Sequence, residues 1–262
     1  MSGPLVIKVG GTTVEDAKTA PMLWSAIAEL SKRDGGVVVV HGGGKAVDRL
    51  LDKLGFTVVR TNGLRVTPPE QIEHITGVLA GSVNKGIVAA LTRHGVRAVG
   101  LCLGDGQAVA TERKPGDLGL VGEVIVAGPE PTLLPLLLRN GFVPVLSSIG
   151  IDREGTLLNV NADDAAAGVA YQLRAQTLVL MTDVPGILDG RKELVAQIDS
   201  EGIEAMIADG SISGGMIVKA RAAAAAAQRM GGPVVVLSGN DPAALAGWAG
   251  GKPVETRILP HQ

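Results

Sequence analysis

Val37-Val38-Val39-Val40-His41-Gly42-Gly43-Gly44-Lys45 is the stretch from which the architecture of this chain follows. Four consecutive valines read as a strand buried on both faces, because a strand with one wet face would alternate polar and apolar residues. The run then passes through three glycines into a helical pattern that begins near Lys45. Outward from this junction the same rhythm recurs. Short apolar runs at 5–9, 97–101, 142–147, 177–181 and 234–237 read as further strands. Helical patterns lie between them, near 16–33, 44–54, 68–93, 130–139, 161–174, 199–209 and 215–230. Strands alternating with long helices predict an α/β fold, an open and mainly parallel sheet sandwiched between helices. Thr67-Pro68-Pro69-Glu70 predicts a capping box with proline at the first helical position. The segment 108–126, with Pro115, Gly116, Gly119 and Gly122, predicts a β-hairpin or lid in place of a crossover helix. Six alanines at 222–227, flanked by charged residues, fit a close-packed helix better than a linker. No flexible tether interrupts the chain, so two lobes, 1–174 and 175–262, are expected to share one body.

Composition bounds the function. The chain has 262 residues, 46% hydrophobic and 19% charged, which excludes disorder as its main description. A formal net charge of −2 gives no general attraction to nucleic acid or to an acidic membrane surface. Two Phe, two Trp and one Tyr are too few for a base-stacking platform. With Cys102 as the only cysteine, no intrachain disulfide can form, as suits a reducing cytoplasm. No uninterrupted apolar run approaches a membrane span. Small-molecule partners recognised locally are therefore expected, with neither nucleic acid nor membrane.

The residues with chemical potential sit at strand ends and helix starts. Lys8, a charge in a strand expected to be buried, is separated by one residue from Gly10-Gly11, where open α/β sheets place ligands; it can also be a lysine snorkelling from a strand end. Gly42-Gly43-Gly44 lets successive amide N–H groups line one concavity at a helix N-terminus, an anion cradle that matches neither the P-loop nor the dinucleotide spacing. Arg65, just ahead of a helix, has the fork that grips a carboxylate, although most surface arginines do nothing of the kind. Asn161 is a natural N-cap with Asp163 and Asp164 in the first turn. Asp163 can equally face a lysine or a metal, and Asn159 alternates with Asn161 so that both amides can face one side. Lys219 lies early in a helix whose dipole disfavours it, which asks for a compensating anion such as phosphate. Thr182-Asp183-Val184-Pro185-Gly186-Ile187-Leu188 follows a strand and can hold a ribose or adenine edge, or be only a turn. His41 reads as packing at the cleft wall and Cys102 as core.

Together these pieces resemble the amino acid kinase family. Leu5-Val6-Ile7-Lys8-Val9-Gly10-Gly11, His41-Gly42-Gly43-Gly44, Asn62-Gly63-Leu64-Arg65-Val66-Thr67, Leu158-Asn159-Val160-Asn161-Ala162-Asp163 and Gly215-Met216-Ile217-Val218-Lys219 carry the likeness over nearly the whole chain. The second and third longest of these, around Arg65 and Asn159, point to the branch acting on N-acetyl-L-glutamate. The resemblance implies ATP as phosphoryl donor and N-acetylglutamyl 5-phosphate as product, in arginine synthesis. It implies that Gly43, Gly44, Arg65 and Asn159 bind acetylglutamate in an N-terminal lobe. Gly10, Gly11, Asp183, Val184, Pro185, Gly186, Ile187, Leu188, Ser211, Ile212 and Ser213 would line the nucleotide. Lys8 and Lys219 would stabilise the transferring phosphoryl group, and Asp163 would orient both. Mg²⁺ would ride on the nucleotide phosphates without a direct protein ligand. Arginine-inhibited members carry an extra N-terminal helix that links dimers into hexamers; with the first strand at about Leu5, an arginine-insensitive cytoplasmic homodimer is expected.

Two other readings stay open on sequence. An aminoadipate-type acceptor differs by little more than a methylene, which pocket shape can hide. A nucleotide-binding regulatory subunit without catalysis would keep the same fold, although both lysines and Asp163 are present together.

Overall fold

The four-valine run is strand β2 (Val37–His41), every residue of it buried, and it lies parallel to β1 (Leu5–Val9) in the middle of an eight-stranded sheet. The computed structural model describes residues 3–11, 14, 20–125, 132–241 and 243–261. The remaining strands of this sheet are β5 (Ala98–Cys102), β8 (Val143–Ser147), β11 (Thr177–Thr182), β12 (Gln197–Ile198), β13 (Val234–Ser238) and β14 (Thr256–Ile258), in the order β12-β14-β13-β11-β1-β2-β8-β5. All pairings are parallel except β13 with β14. The six strands expected from the apolar runs are β1, β2, β5, β8, β11 and β13, each within a residue of its predicted ends. The short outer strands β12 and β14 are additions.

Alternation along each strand divides the core. Val6, Val38, Val40, Leu146, Leu178, Leu180, Val234 and Val236 face one side of the sheet, against α5 (Ala162–Gln172) and α7 (Gly215–Met230). Ile7, Val9, Val37, Val39, Val145, Val179, Val235 and Leu237 face the other, against α1 (Ala20–Leu30) and the helix α3 that spans Pro69–Arg93. Burial of both faces is what the uninterrupted valines required. The alanine run lies inside α7, with Ala220, Ala223, Ala224, Ala226 and Ala227 packed on the sheet. The expected helix over 16–33 is seen as α1, and residues 16–19, like 130–131 of the stretch expected near 130–139 and residue 126 of the hairpin segment, lie outside the described residues.

Helix α3 is long and apolar enough to cross a membrane by length and composition alone. Here its buried residues Ile72, Ile75, Leu79, Ile87 and Leu91 pack on the protein body. Its middle, Gly77–Val83, is π-helical. Its start departs from the expected capping box: Pro68 is the N-cap and no side chain caps it. The Thr67 hydroxyl donates instead to the Arg65 carbonyl and accepts from the Asn159 amide, so the loop preceding the helix, not the helix itself, uses that threonine.

A second sheet stands above the carboxyl rim. The hairpin expected over 108–126 forms as β6 (Thr111–Arg113) and β7 (Val121–Val124), and continues through β10 (Leu157–Val160) and β9 (Ile149–Ile151). A small ribbon of β3 (Arg60–Thr61) and β4 (Leu64–Arg65) turns on Asn62-Gly63, both at positive φ. This places Arg60 directly opposite Arg65. Helices α2 (Gly44–Lys53), α4 (Leu133–Arg139), α6 (Ser200–Ala208) and α8 (Ala244–Ala249) complete the described fold.

Candidate functional site

Parallel strands end together, so the residues after β1, β2 and β11 meet on one rim: Gly10-Gly11, Gly42-Gly43-Gly44 and Thr182-Asp183. The first two loops touch. A Cβ on Gly11 would come within 3.1 Å of the Gly43 Cα, so glycine allows this close approach without crowding the second loop. A cleft of about 490 Å³ opens along the rim, and Lys8, Gly10, Gly11, Gly44, Asp163, Asp183 and Lys219 all line it. Lys8 and Lys219, 211 positions apart in number, thus share one cavity.

Lys8 is held in place rather than free. Its side chain is only 12% exposed and its ammonium lies 2.9 Å from Asp163 Oδ1. That oxygen has no hydrogen-bond partner, so the contact is one of opposite charges without directed hydrogen-bond geometry. Asp163 stands in the first turn of α5, which Asn161 caps: its Oδ1 accepts from the amides of Asp163 and Asp164 at 2.8 and 3.2 Å. The capping read from sequence and a role toward a lysine therefore coexist.

Lys219 departs from what the resemblance implies. It donates to Asp183 Oδ1 at 2.5 Å, and Asp163 holds Lys8 alone. The hydrogen bond from Lys219 keeps the Asp183 carboxyl below the usual carboxylate range. The cause is position: Asp183 follows β11 on the rim beside the start of α7. That helix begins after Gly214, whose φ of +57 favours glycine, and it has neither a side-chain cap nor an acid in its first turn. Helix α2, starting at Gly44, likewise has no side-chain cap and no first-turn acid. Two helix N-termini without side-chain caps and three lysines on the cleft suit a polyanion, which is the fit a nucleotide's phosphates need.

A smaller cavity of about 170 Å³ adjoins the cleft, sharing Gly44 and Arg60 with it. Gly43, Gly44, Arg65 and Asn159 line it, as expected together, and Asn161 joins them. Arg65 is 9% exposed, fixed by Asp48 Oδ1 at 2.6 Å and the Gly44 carbonyl at 3.1 Å. Arg60 donates to both oxygens of the same Asp48, at 3.0 and 2.7 Å. Burial pushes the Asp48 carboxyl up, but the hydrogen bonds from Arg65 and Arg60 outweigh it and hold it below its ordinary value. Arg60 and Asp48 were not among the expected site residues. Asn62-Gly63 is a strong two-residue hairpin signal that would have set Arg60 across from Arg65, and Asp48 sits four residues after Gly44, on the same helix face.

A third cavity, a narrow apolar slot of about 60 Å³ between α5, α7 and the sheet, is lined by Asp163, Val184, Ile187 and Lys219 among others. Pro185, Gly186, Leu188, Ser211, Ile212 and Ser213 stand outside the linings of these three cavities. Ile187 and Ile212 are core residues, and both main-chain groups of Ile187 are already used, by Thr256 and by Val195.

His41 is fully buried at the end of β2. Desolvation outweighs its hydrogen bond to Gly42 and lowers its pKa to about 4, with the Lys85 charge adding to the shift. The neutral ring donates from Nδ1 to the Gly42 carbonyl at 2.9 Å and accepts at Nε2 from the Asn84 amide at 3.0 Å. It thus braces the glycine loop, as packing at the cleft wall suggested. The unfolded chain binds its proton near 6.5 and the native state only near 4, so stability contributed by this site falls as pH drops through that window. NMR titration of the folded protein is expected to show a His41 ring that stays neutral at pH 5; a midpoint near 6.5 would contradict this burial. Cys102 is half-buried on β5, where desolvation raises its thiol pKa.

Comparison with known proteins agrees with this geometry. The model of the amino acid kinase family matches residues 3–238. Acetylglutamate kinase of Pectobacterium atrosepticum is 44% identical over 257 residues, covering 98% of this chain and 99% of that protein. Acetylglutamate kinase of Proteus mirabilis is 44% identical with the same coverage. Among solved structures, smu.665 from Streptococcus mutans superposes with a TM-score of 0.77 at 27% identity over the whole of both chains. N-acetylglutamate synthase from Neisseria gonorrhoeae, bound to coenzyme A and N-acetyl-glutamate, shares the fold at a TM-score of 0.85 and 23% identity, with 99% of this chain on 60% of that one.

Proposed function

Because this chain belongs to the amino acid kinase family, we infer that it transfers the terminal phosphoryl group of ATP to the side-chain carboxylate of N-acetyl-L-glutamate, forming N-acetylglutamyl 5-phosphate for arginine biosynthesis. The observation that carries the reading is the single cleft lined by both Lys8 and Lys219 beside the glycine loop. The acceptor carboxylate is ionised at pH 7, so no base has to remove a proton. The barrier is repulsion between an anionic nucleophile and a polyanionic donor, and phosphoryl transfer of this kind depends on positioning and charge stabilisation.

In this proposal Gly43, Gly44, Arg65 and Asn159 hold acetylglutamate in the smaller cavity, within the lobe of residues 1–174. The nucleotide lies along the cleft toward the lobe of residues 175–262, against Gly10, Gly11 and Asp183. Its phosphates reach the N–H groups at the start of α2 and α7. Mg²⁺, carried on the phosphates, screens their charge when bound. Lys8 and Lys219 bind the oxygens of the transferring group, and Asp163 keeps the Lys8 ammonium at the strand end. A cytoplasmic homodimer belongs to the same proposal.

A coupled assay of ADP release, with N-acetyl-L-glutamate present, omitted or replaced by N-acetyl-aminoadipate, tests the reading. ADP release dependent on acetylglutamate is expected; turnover only with the longer acceptor, or none with either, would overturn it. Arg65→Ala is expected chiefly to raise KM for acetylglutamate, since Arg65 grips a group that does not react and kcat reports the reacting centre. Initial rates against acceptor concentration check this, and an unchanged KM with lowered kcat would contradict it.

A further inference from the structure

The charged residues lining the cleft are Lys8, Lys45, Asp48, Arg60, Asp163, Asp183 and Lys219. Each of the three acids is matched: Asp163 with Lys8, Asp183 with Lys219, and Asp48 with Arg60, which it holds together with Arg65. One cation is left over. The Lys45 ammonium has neither an ion pair nor a hydrogen bond among the described residues, and it is exposed on the cleft wall. Its position adds to the imbalance, because it lies in the first turn of α2, where the helix dipole and the uncapped N–H groups already present positive charge. A lysine at such a place costs a little stability in the free protein, and an anion entering the cleft offsets that cost.

Resting on the kinase reading above, we propose that Lys45 is a nucleotide-binding residue, a third ammonium that contacts the terminal phosphates of ATP from the acceptor side of the cleft. Lys8 stands at the floor on β1 and Lys219 on the opposite helix, so the three lysines approach the cleft from three different elements. The acceptor cavity shares Gly44 with the cleft, but Lys45 lines the cleft only. Its contribution therefore falls on the donor. Lys8 and Lys219 serve the group in transit, whereas Lys45, without an acid to orient it, contributes to holding the nucleotide before transfer.

The test is equilibrium binding of two probes, AMP-PNP with Mg²⁺ and AMP, to the full chain and to Lys45→Ala and Lys45→Arg. Lys45→Ala is expected to weaken AMP-PNP about tenfold, the size of one charge-assisted hydrogen bond, and to leave AMP within about twofold. Lys45→Arg restores most of the loss, because the charge is kept. KM for acetylglutamate stays within about twofold, as the acceptor lies in the neighbouring cavity. Equal weakening of both probes, AMP-PNP affinity like that of the unsubstituted protein, or a loss that falls on acetylglutamate instead would overturn the assignment. If the unsubstituted protein fails to bind AMP-PNP, the kinase reading itself falls; if it binds and turns over while Lys45→Ala matches it, only the role of Lys45 falls.

Discussion

Lys8→Ala is expected to lower kcat at least ~100-fold at saturating substrates, taking the loss of one preorganised charge stabiliser as about 3 kcal/mol. The size follows from where Lys8 stands. It is the one residue of β1 that is not buried in the apolar core, and its side chain is only 12% exposed, so water replaces little of what the ammonium supplies. Asp163 would remain, its Oδ1 buried and now facing no cation, which adds a repulsive charge next to the phosphoryl group. The substitution therefore acts twice in the same direction. Both KM values should change far less than kcat, since an interaction made mainly with the transferring group is lost from the transition state. Steady-state rates, with a thermal melt to confirm folding, provide the measurement. A folded Lys8→Ala protein that keeps kcat within tenfold would remove Lys8 from the chemistry.

How far the fold was legible depends on which physical signal each element carries. Strands buried on both faces announce themselves as continuous valine, leucine and isoleucine, and β1, β2, β8, β11 and β13 were readable for that reason; β5, an outer strand with every residue half-buried, was readable only from its shorter apolar run. Strands β12 and β14 were not: Gln197 and Arg257 are exposed, and two or three residues at a sheet margin show no period. The hairpin of β9 and β10 escaped for a related reason, because Leu157–Val160 leads into the Asn161 cap and reads as the approach to a helix. Capping at Asn161 is local and was legible. Capping at Thr67 looked equally local, but a distant partner, the Asn159 amide, competes for that hydroxyl.

The candidate site divides along the same line. Its cations and glycines were legible because each breaks a local expectation: a charge in an apolar strand, three glycines at a helix start, a lysine early in a helix. Their pairing was not, since which acid meets which lysine is decided by distances between elements far apart in sequence. Asp163 and Asp183 both stand on the rim, one starting α5 and one following β11, and only the packing of α7 against the sheet brings Lys219 to the second of them. The Asp48 bridge between Arg60 and Arg65 is of the same kind.

That pairing gives the second large effect a sharper form. Lys219→Ala is expected to cost kcat at least ~100-fold, by the same loss of charge stabilisation. Its partner should matter much less. The Lys219 and Asp183 side chains are 45% and 65% exposed, and an ion pair so wet is worth at most about 1 kcal/mol, or roughly fivefold. An ammonium that must serve a phosphoryl group has to exchange this carboxylate for phosphate oxygens, and a weak, exposed partner permits that exchange at little cost. Asp183→Ala should accordingly keep kcat within about fivefold, with any loss appearing as a weaker nucleotide. The contrast between the two variants separates a lysine parked on its neighbour from one that exists to hold it. If both substitutions depress kcat equally, the ion pair itself is the functional unit and Lys219 does not leave Asp183 during turnover. If Lys219→Ala keeps full turnover, one ammonium suffices for transfer and the shared cleft loses its catalytic meaning.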